Sequence, residues 1–202
     1  MAINLQKGQK IDLTKHNGER LTDFCVGVNW GMIEKSTFFG PKKIAVDLDA
    51  SCAMFDATNQ LLDVVYFGQL ISRDQSIRHS GDDRQGDDNG DDGLDNEILS
   101  VNLPRVSPQV DKIVFFLNSY NQQDFGDIPF ASARLYEGTP TRVKEIYATY
   151  NVANDISFQG SVSMILGKLY RHNGAWKFAA IGVPTKDRTL AETVSTIACK
   201  FL

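Results

Sequence analysis

The chain has 202 residues, a hydrophobic share of 42% and a formal net charge of −4. This size fits one ordinary domain, residues 1–202, and the composition excludes a fibrous or disordered chain. The longest apolar runs have only strand length, and the first thirteen residues lack the apolar core of a secretory signal, so we expect a cytoplasmic protein without a membrane span.

Short runs rich in Val, Ile, Phe and Tyr follow one another along the chain, and several alternate apolar with polar residues. Such runs predict strands. They are Phe24–Trp30, Lys43–Leu48, Leu62–Phe67, Ile98–Leu103, Lys112–Leu117, Ala131–Tyr136, Val143–Tyr150, Ser163–Tyr170 and Trp176–Val183. Turn residues separate them, as at Gly40–Pro41 and at Asn173–Gly174, where the pattern predicts a hairpin.

The last stretch, Thr189–Lys200, has apolar residues at helical spacing and predicts a helix. Many short strands without helical periods between them favour an antiparallel arrangement over a doubly wound parallel sheet. The expected fold is therefore mostly β: an antiparallel β-sandwich with short helices and a C-terminal helix.

Cysteine and histidine are too few and too scattered to form a transition-metal site or a disulfide framework. The three cysteines are far apart, without a CxxC pair, and the three histidines are isolated. Positive charge forms no stripe along the sequence, so we expect no nucleic-acid partner.

Acidic residues concentrate in one segment, residues 82–97, which holds eight acidic side chains and one basic one, Arg84. Four glycines at 81, 86, 90 and 93 accompany them. Asp-rich and Gly-rich sequence together suits Ca²⁺, which takes six to eight oxygen ligands and needs a chain that folds tightly around it. A solvated acidic loop without an ion is the alternative that composition leaves open.

The acidic segment does not follow the EF-hand template. With Asp87 as position one, the loop has Asp92 where glycine is needed and Ile98 where the bidentate glutamate is needed. The flanking runs also predict strands rather than helices. A calcium site here therefore needs another architecture.

A second acidic feature is the pair Asp47 and Asp49, at the end of the predicted strand Lys43–Leu48. Alternate positions of a strand point to the same face, so the two carboxylates are expected to lie together. An exposed strand edge, or an aspartate that caps the following turn, would give the same pattern. The pair is stronger evidence for a metal site when it is combined with the acidic segment.

Several ordered motifs along nearly the whole chain resemble the TerD family of tellurium-resistance proteins. They are Val26–Trp30, Asp47–Ser51, His79–Arg84, Gly90–Asp92, Asp95–Ile98, Val101–Leu103 and Gly167–Phe178. The resemblance implies a non-enzymatic, Ca²⁺-binding stress-response protein with a β-sandwich fold and no catalytic residues. It also implies that the protein acts with other Ter proteins, some of them at the inner membrane surface.

The resemblance also implies a set of oxygen ligands for calcium. The candidate metal ligands are Asp47, Asp49, Asp82, Asp83, Asp91, Asp92, Asp95, Asn96 and Glu97. Two departures from the family pattern affect this set. Gly93–Asn96 intervenes before Glu97, so that either Asp92 or Asn96 fills the matching position, and Gly31 stands after Trp30 where many relatives have aspartate.

Two other functions use the same residues. Asp47–Ser51 and the acidic segment also match the motifs of a magnesium-dependent, haloacid-dehalogenase-like phosphotransferase. The chain between Asp49 and Asp82 is too short for the strand–helix units of that fold, which argues against it. The third possibility is an interaction module whose acidic loop docks basic partners.

Overall fold

Strands dominate the part of the chain that the structure describes, which in this computed structural model is residues 3–4, 7–15, 17–151 and 156–202. The strands are β1 (Ile3–Asn4), β2 (Lys10–Asp12), β3 (Asp23–Trp30), β4 (Ile33–Thr37), β5 (Gly40–Ile44), β6 (Leu48–Phe55), β7 (Leu61–Val65), β8 (Ile77–His79), β9 (Glu97–Asn102), β10 (Lys112–Ser119), β11 (Ala131–Thr139), β12 (Arg142–Asn151), β13 (Ser163–His172) and β14 (Ala175–Thr185). One α-helix, α1 (Leu190–Lys200), follows them, and three short 3-10 helices lie at Leu103–Arg105, Phe125–Asp127 and Ile156–Phe158.

Two six-stranded sheets form the body of the fold. The first has the order β1-β12-β11-β3-β9-β8 and the second the order β2-β14-β13-β10-β6-β7. Neighbouring strands pair antiparallel, apart from the parallel contact of β1 with β12. The predicted mostly antiparallel β fold is confirmed.

The core lies between the two sheets, because one buried cluster takes side chains from both. Val26 and Leu135 enter it from the first sheet, and Cys52, Phe115 and Leu169 enter it from the second. Alternate residues of each strand face this layer, as expected for stacked sheets. Burial of this apolar surface is the main source of stability.

Helix α1 covers the outer face of the second sheet. Its residues Val194 and Ile197 pack against Val114 and Phe116 of β10, in a second buried cluster. Thr189 caps the helix, since its side chain accepts a hydrogen bond from the Glu192 N–H. The predicted C-terminal helix is confirmed, and no helix among the described residues is long and apolar enough to cross a membrane.

The predicted strand Lys43–Leu48 is wrong. The structure ends β5 at Ile44 and begins β6 at Leu48, with a connecting segment between them. In that segment the Val46 N–H donates to Gln85 O, in the acidic loop, instead of to a neighbouring strand. The aspartates therefore stand at the start of a strand and not at the end of one.

The turn predicted at Gly40–Pro41 is also displaced. Among the strands that the structure describes, β4 and β5 pair only with each other, in a hairpin that belongs to neither six-stranded sheet. Thr37 pairs with Gly40, so the turn consists of Phe38 and Phe39. The residues of β4 and β5 are mostly polar and exposed, so apolar alternation did not predict these two strands.

Candidate metal site

One end of the sandwich gathers carboxylates from two segments that are distant in the sequence. Asp47 precedes β6, Asp49 is its second residue, and Asp82 lies in the loop that follows β8. Each offers a carboxylate oxygen within 4.8 Å of the others. We call these three residues the inner cluster. The expectation that Asp47 and Asp49 lie together agrees with this geometry, although the strand was placed wrongly.

Burial distinguishes the inner cluster from an ordinary acidic surface. Asp47 is 7% exposed and Asp49 is 5% exposed. Asp47 Oδ1 has no hydrogen-bond partner among the described residues. A buried carboxylate oxygen without a partner costs free energy, because it has lost water and gained no donor in exchange. A cation that contacts this oxygen would remove that cost.

The inner cluster lines a small cleft of about 100 Å³. Its other walls are Phe67, Tyr120 and Arg84. The rings of Phe67 and Tyr120 meet edge to face, with centroids 5.8 Å apart. The cleft has room for one ion together with a few waters.

The charges of the inner cluster repel one another. Burial, together with the negative charge of Asp82, raises the pKa of Asp47 to about 6. Burial, together with the charges of Glu97 and Asp47, raises the pKa of Asp49 to about 8. Two carboxylates about 5 Å apart repel by about 3 kcal/mol at an effective dielectric constant of about 20, so without a cation Asp49 holds its proton at neutral pH.

Arg84 supplies a positive charge at the rim of the cleft. Its Nε lies 2.8 Å from Asp82 Oδ2. The arginine side chain is 76% exposed, so solvent screens this ion pair. The contact offsets part of the charge of Asp82, and the arginine also lowers the pKa values of Asp47 and Asp49 to a smaller extent than burial and the neighbouring carboxylates raise them.

A second group of carboxylates, Asp87, Asp91 and Asp92, lies further along the loop and is here called the outer cluster. These side chains also offer oxygens within 4.8 Å of one another, but they are more exposed. Asp91 Oδ1 accepts hydrogen bonds from Asn29 Nδ2 at 2.8 Å and from the Gly93 N–H at 2.7 Å. Internal donors therefore satisfy part of the outer cluster.

The sequence did not single out Asp87 as a ligand. Its position depends on long-range backbone bonds: its N–H donates to Trp30 O, and its carbonyl accepts from the Met32 N–H. Asn96 Nδ2 donates to its Oδ1 at 3.1 Å. The sequence placed Asp87 in the acidic segment and at the start of the EF-hand comparison, which failed, and neither signal separated this residue from its neighbours as a ligand.

Glu97 anchors the loop to the sheet. Its carboxylate is fully buried, and its two oxygens accept from the Ala50 N–H at 2.7 Å and the Asp83 N–H at 3.1 Å. His79 Nε2 lies 3.3 Å from the same carboxylate and 2.9 Å from Ala50 O. Glu97 thereby fixes the distance between β6 and the loop that carries Asp82.

The remaining candidate ligands make internal contacts. Asp83 Oδ1 accepts from the N–H groups of Gln85 and Gly86, which tightens the turn. Asp95 Oδ1 lies 2.7 Å from Arg134 Nε, and Asn96 Oδ1 accepts from the Trp30 N–H at 2.8 Å. These contacts hold the loop against β3 and β11. Among the acidic residues that the structure describes, Asp83, Asp95 and Glu97 belong to neither cluster.

The phosphotransferase alternative does not fit this architecture. That fold needs parallel strands joined by crossover helices. The described residues form sheets that are antiparallel apart from the contact of β1 with β12, with one α-helix after the last strand. Asp47 precedes β6 and Asp49 is its second residue. The nucleophilic aspartate of the phosphotransferase fold instead follows a strand.

Comparison with known proteins identifies relatives over nearly the full length. The model of the TerD domain matches residues 1–196. A stress response protein, SCP2, from Bacillus subtilis is 34% identical over 96% of this chain and 98% of its own length. The tellurium resistance protein TerZ from Serratia marcescens is 31% identical over 96% of each chain.

A solved structure has the same fold. It is a homologue of telluride resistance protein from Streptomyces coelicolor, with a TM-score of 0.65 and 18% sequence identity. The match covers 88% of this chain and 95% of that one. At this identity the likeness supports the arrangement of strands and carries no conclusion about ligands.

Proposed function

The chain belongs to the TerD domain family, whose named members include stress-response and tellurium-resistance proteins, and from this premise we propose that it is a non-enzymatic Ca²⁺-binding protein. The inner cluster carries the proposal. It combines three carboxylates with a buried oxygen on Asp47 that has no hydrogen-bond partner in the described part of the chain. In this proposal the ion replaces the proton that Asp49 otherwise holds at neutral pH.

The chemistry of the donors favours calcium over other ions. Carboxylate oxygens are hard ligands, and the described residues bring no cysteine or histidine into either cluster. The glycine-rich loop beside Asp82 allows an irregular shell of six to eight oxygens, which Ca²⁺ accepts and Mg²⁺ does not. Waters in the cleft would complete the shell.

The outer cluster is proposed as a second, weaker site. Its carboxylates are more exposed and share their oxygens with N–H donors of the loop and of Asn29. An ion there gains less, because it relieves less repulsion and competes with existing hydrogen bonds. Occupation of this site would neutralise the acidic loop after the inner site has filled.

In this proposal the protein works in the cytoplasm with other Ter proteins. The names of its tellurium-resistance relatives support such partners. The concentrated negative charge of the loop opposes binding to nucleic acid. Calcium would change the charge that the loop presents to a protein partner.

Calorimetric titration of the chelator-treated protein tests the proposal. We expect Ca²⁺ to bind with a dissociation constant of about 1 μM and Mg²⁺ to bind at least about tenfold more weakly, because a flexible carboxylate shell suits the larger ion. The variant Asp88→Asn is the matched control, since Asp88 lies in the same loop, outside both clusters, and pairs with Lys43. Equal or stronger Mg²⁺ binding would contradict the calcium assignment, and no heat with either ion would reject the metal site.

A double-mutant cycle tests the division into two clusters. We expect Asp47→Asn and Asp82→Asn to be coupled by about 1 kcal/mol or more in Ca²⁺ binding, because their oxygens would share one ion. Asp47→Asn and Asp92→Asn should be additive within about 0.5 kcal/mol, since these residues lie in different clusters. Strong coupling between Asp47 and Asp92 would instead indicate one site roofed by the whole loop.

A further inference from the structure

The β4–β5 hairpin, Ile33–Ile44, ends in two aromatic side chains that the fold leaves in solvent. Phe38 and Phe39 are each 96% exposed. Their rings meet edge to face, with centroids 5.4 Å apart. The hairpin belongs to neither six-stranded sheet, so its tip stands apart from the core.

Turn formation does not explain this pair. Two-residue turns favour Gly, Asn or Asp, because those residues tolerate the backbone angles that such turns need. Here Gly40 takes the positive φ of 110°, and Thr37 Oγ1 donates to Gly40 O at 2.7 Å. Smaller polar residues at positions 38 and 39 would close the same turn without exposing two phenyl rings to water.

We propose that this hairpin docks the protein on an anionic phospholipid bilayer, with Phe38 and Phe39 inserted among the acyl chains. Lys35 and Lys42 are directly opposite each other in the hairpin register, so both project from one face just behind the tip. Both are exposed. In a bilayer, charged phosphate groups lie above the hydrocarbon. The aromatic tip would enter the hydrocarbon, and the paired lysines behind it would lie at the level of the phosphate groups.

The size and shape of the tip favour a bilayer over a protein partner. A specific protein interface buries about 1,200 Å² or more in total, whereas two phenylalanine side chains contribute roughly 300 to 500 Å². A bilayer accepts a small convex apolar tip without a matching pocket.

Calcium would strengthen this docking, and this part of the inference rests on the proposed function. The base of the hairpin is joined to the acidic loop: the Met32 N–H donates to Asp87 O at 3.0 Å, and Lys43 Nζ lies 2.8 Å from Asp88 Oδ1. The negative charge of the loop repels anionic lipid. Bound Ca²⁺ would reduce that repulsion next to the hairpin.

Co-sedimentation of the full chain with vesicles tests the docking. The vesicles are phosphatidylcholine alone, or phosphatidylcholine mixed with phosphatidylglycerol, each with Ca²⁺ and with chelator. We expect binding to the mixed vesicles, and a loss of about tenfold per phenylalanine in the double variant Phe38→Ser, Phe39→Ser. Lys35→Glu with Lys42→Glu should weaken binding to the mixed vesicles and leave the residual binding to phosphatidylcholine unchanged.

Leu61→Ser is the matched control. Leu61 is another exposed apolar residue, 49% exposed, and it pairs with Phe55 at the far end of β6 from Asp49. Melting curves and Ca²⁺ titrations of every variant separate loss of docking from loss of folding. Insertion is measured directly with Phe39→Trp, whose emission should shift to the blue and be quenched by brominated lipid.

Failure of wild type to bind the mixed vesicles, or equal binding by the double serine variant, would overturn the proposal. So would sedimentation that reports dimers through the tip, abolished by the serine substitutions, with no lipid binding. Docking that is the same with Ca²⁺ and with chelator would reject the calcium coupling and leave the hairpin's docking standing. Absence of Ca²⁺ binding in calorimetry would reject the proposed function separately.

Discussion

Replacing Asp49 with asparagine is expected to weaken Ca²⁺ binding by about a hundredfold and, in the same protein, to stabilise the metal-free form. The substitution removes a negative charge from a buried site and keeps the size of the side chain. Loss of one anionic donor beside a divalent ion costs about 3 kcal/mol, which corresponds to about a hundredfold in affinity. The metal-free protein gains about 1 kcal/mol, because buried Asp49 must take up a proton to become neutral, whereas asparagine is neutral already.

Two measurements on the same samples check this pair of opposite effects. Calorimetry gives the affinity, and urea unfolding in chelator gives the stability of the metal-free form. Asp88→Asn removes one charge from an exposed position outside both clusters and should change neither quantity by much. An Asp49→Asn protein that binds Ca²⁺ normally, or that is less stable than wild type in chelator, would show that Asp49 is a structural carboxylate.

Stability of the metal-free protein is expected to fall as the pH rises from about 4 to about 8, and Ca²⁺ affinity is expected to rise across the upper part of this range. Burial and neighbouring negative charges raise the pKa of Asp49 to about 8 and that of Asp47 to about 6. A raised carboxyl pKa means that the folded protein holds the proton more tightly than the unfolded chain does. Its contribution to stability is therefore present in acid and is lost as the pH rises through the folded pKa.

Calcium must displace the proton of Asp49, so binding should strengthen about tenfold or more between about pH 6 and about pH 8 and level off at higher pH. Titrations at pH 7 in buffers of different ionisation enthalpy should report proton release on binding. Urea unfolding in chelator across the same range measures the stability change, with Asp49→Asn as the control that should flatten it. Calcium binding that releases no proton at pH 7 would contradict the raised pKa of Asp49.

Much of the fold could be predicted because apolar alternation follows the strands that bury one face. Strand β11 carries that signal, whereas the hairpin at Asn173–Gly174 and helix α1 are marked by turn residues and by helical spacing. Apolar alternation failed at Lys43–Leu48, where only residues 45–47 separate the end of an exposed hairpin from the start of a buried strand. The local sequence pattern does not show where one strand ends and the next begins. The interruption depends on the hydrogen bond from the Val46 N–H to Gln85 O, in a loop distant in the sequence.

The candidate site could be predicted as a region but not as two clusters. Composition located the acidic segment, and strand periodicity paired Asp47 with Asp49. The separation of Asp82 from Asp91 and Asp92 depends on how Asn96, Glu97 and Trp30 hold the loop backbone. Those contacts join residues far apart in the chain, and no local spacing encodes them.

The fluorescence of Trp30 is expected to report directly on the acidic loop. It is fully buried beneath the loop, where its Nε1 donates to Val46 O and its backbone contacts Asp87 and Asn96. The other tryptophan, Trp176, stacks under Arg171 on the β13–β14 hairpin, away from both clusters. The chain thus contains one indole that reports on the loop and one that serves as an internal reference, so the unlabelled protein can be followed by fluorescence as its ionic environment changes.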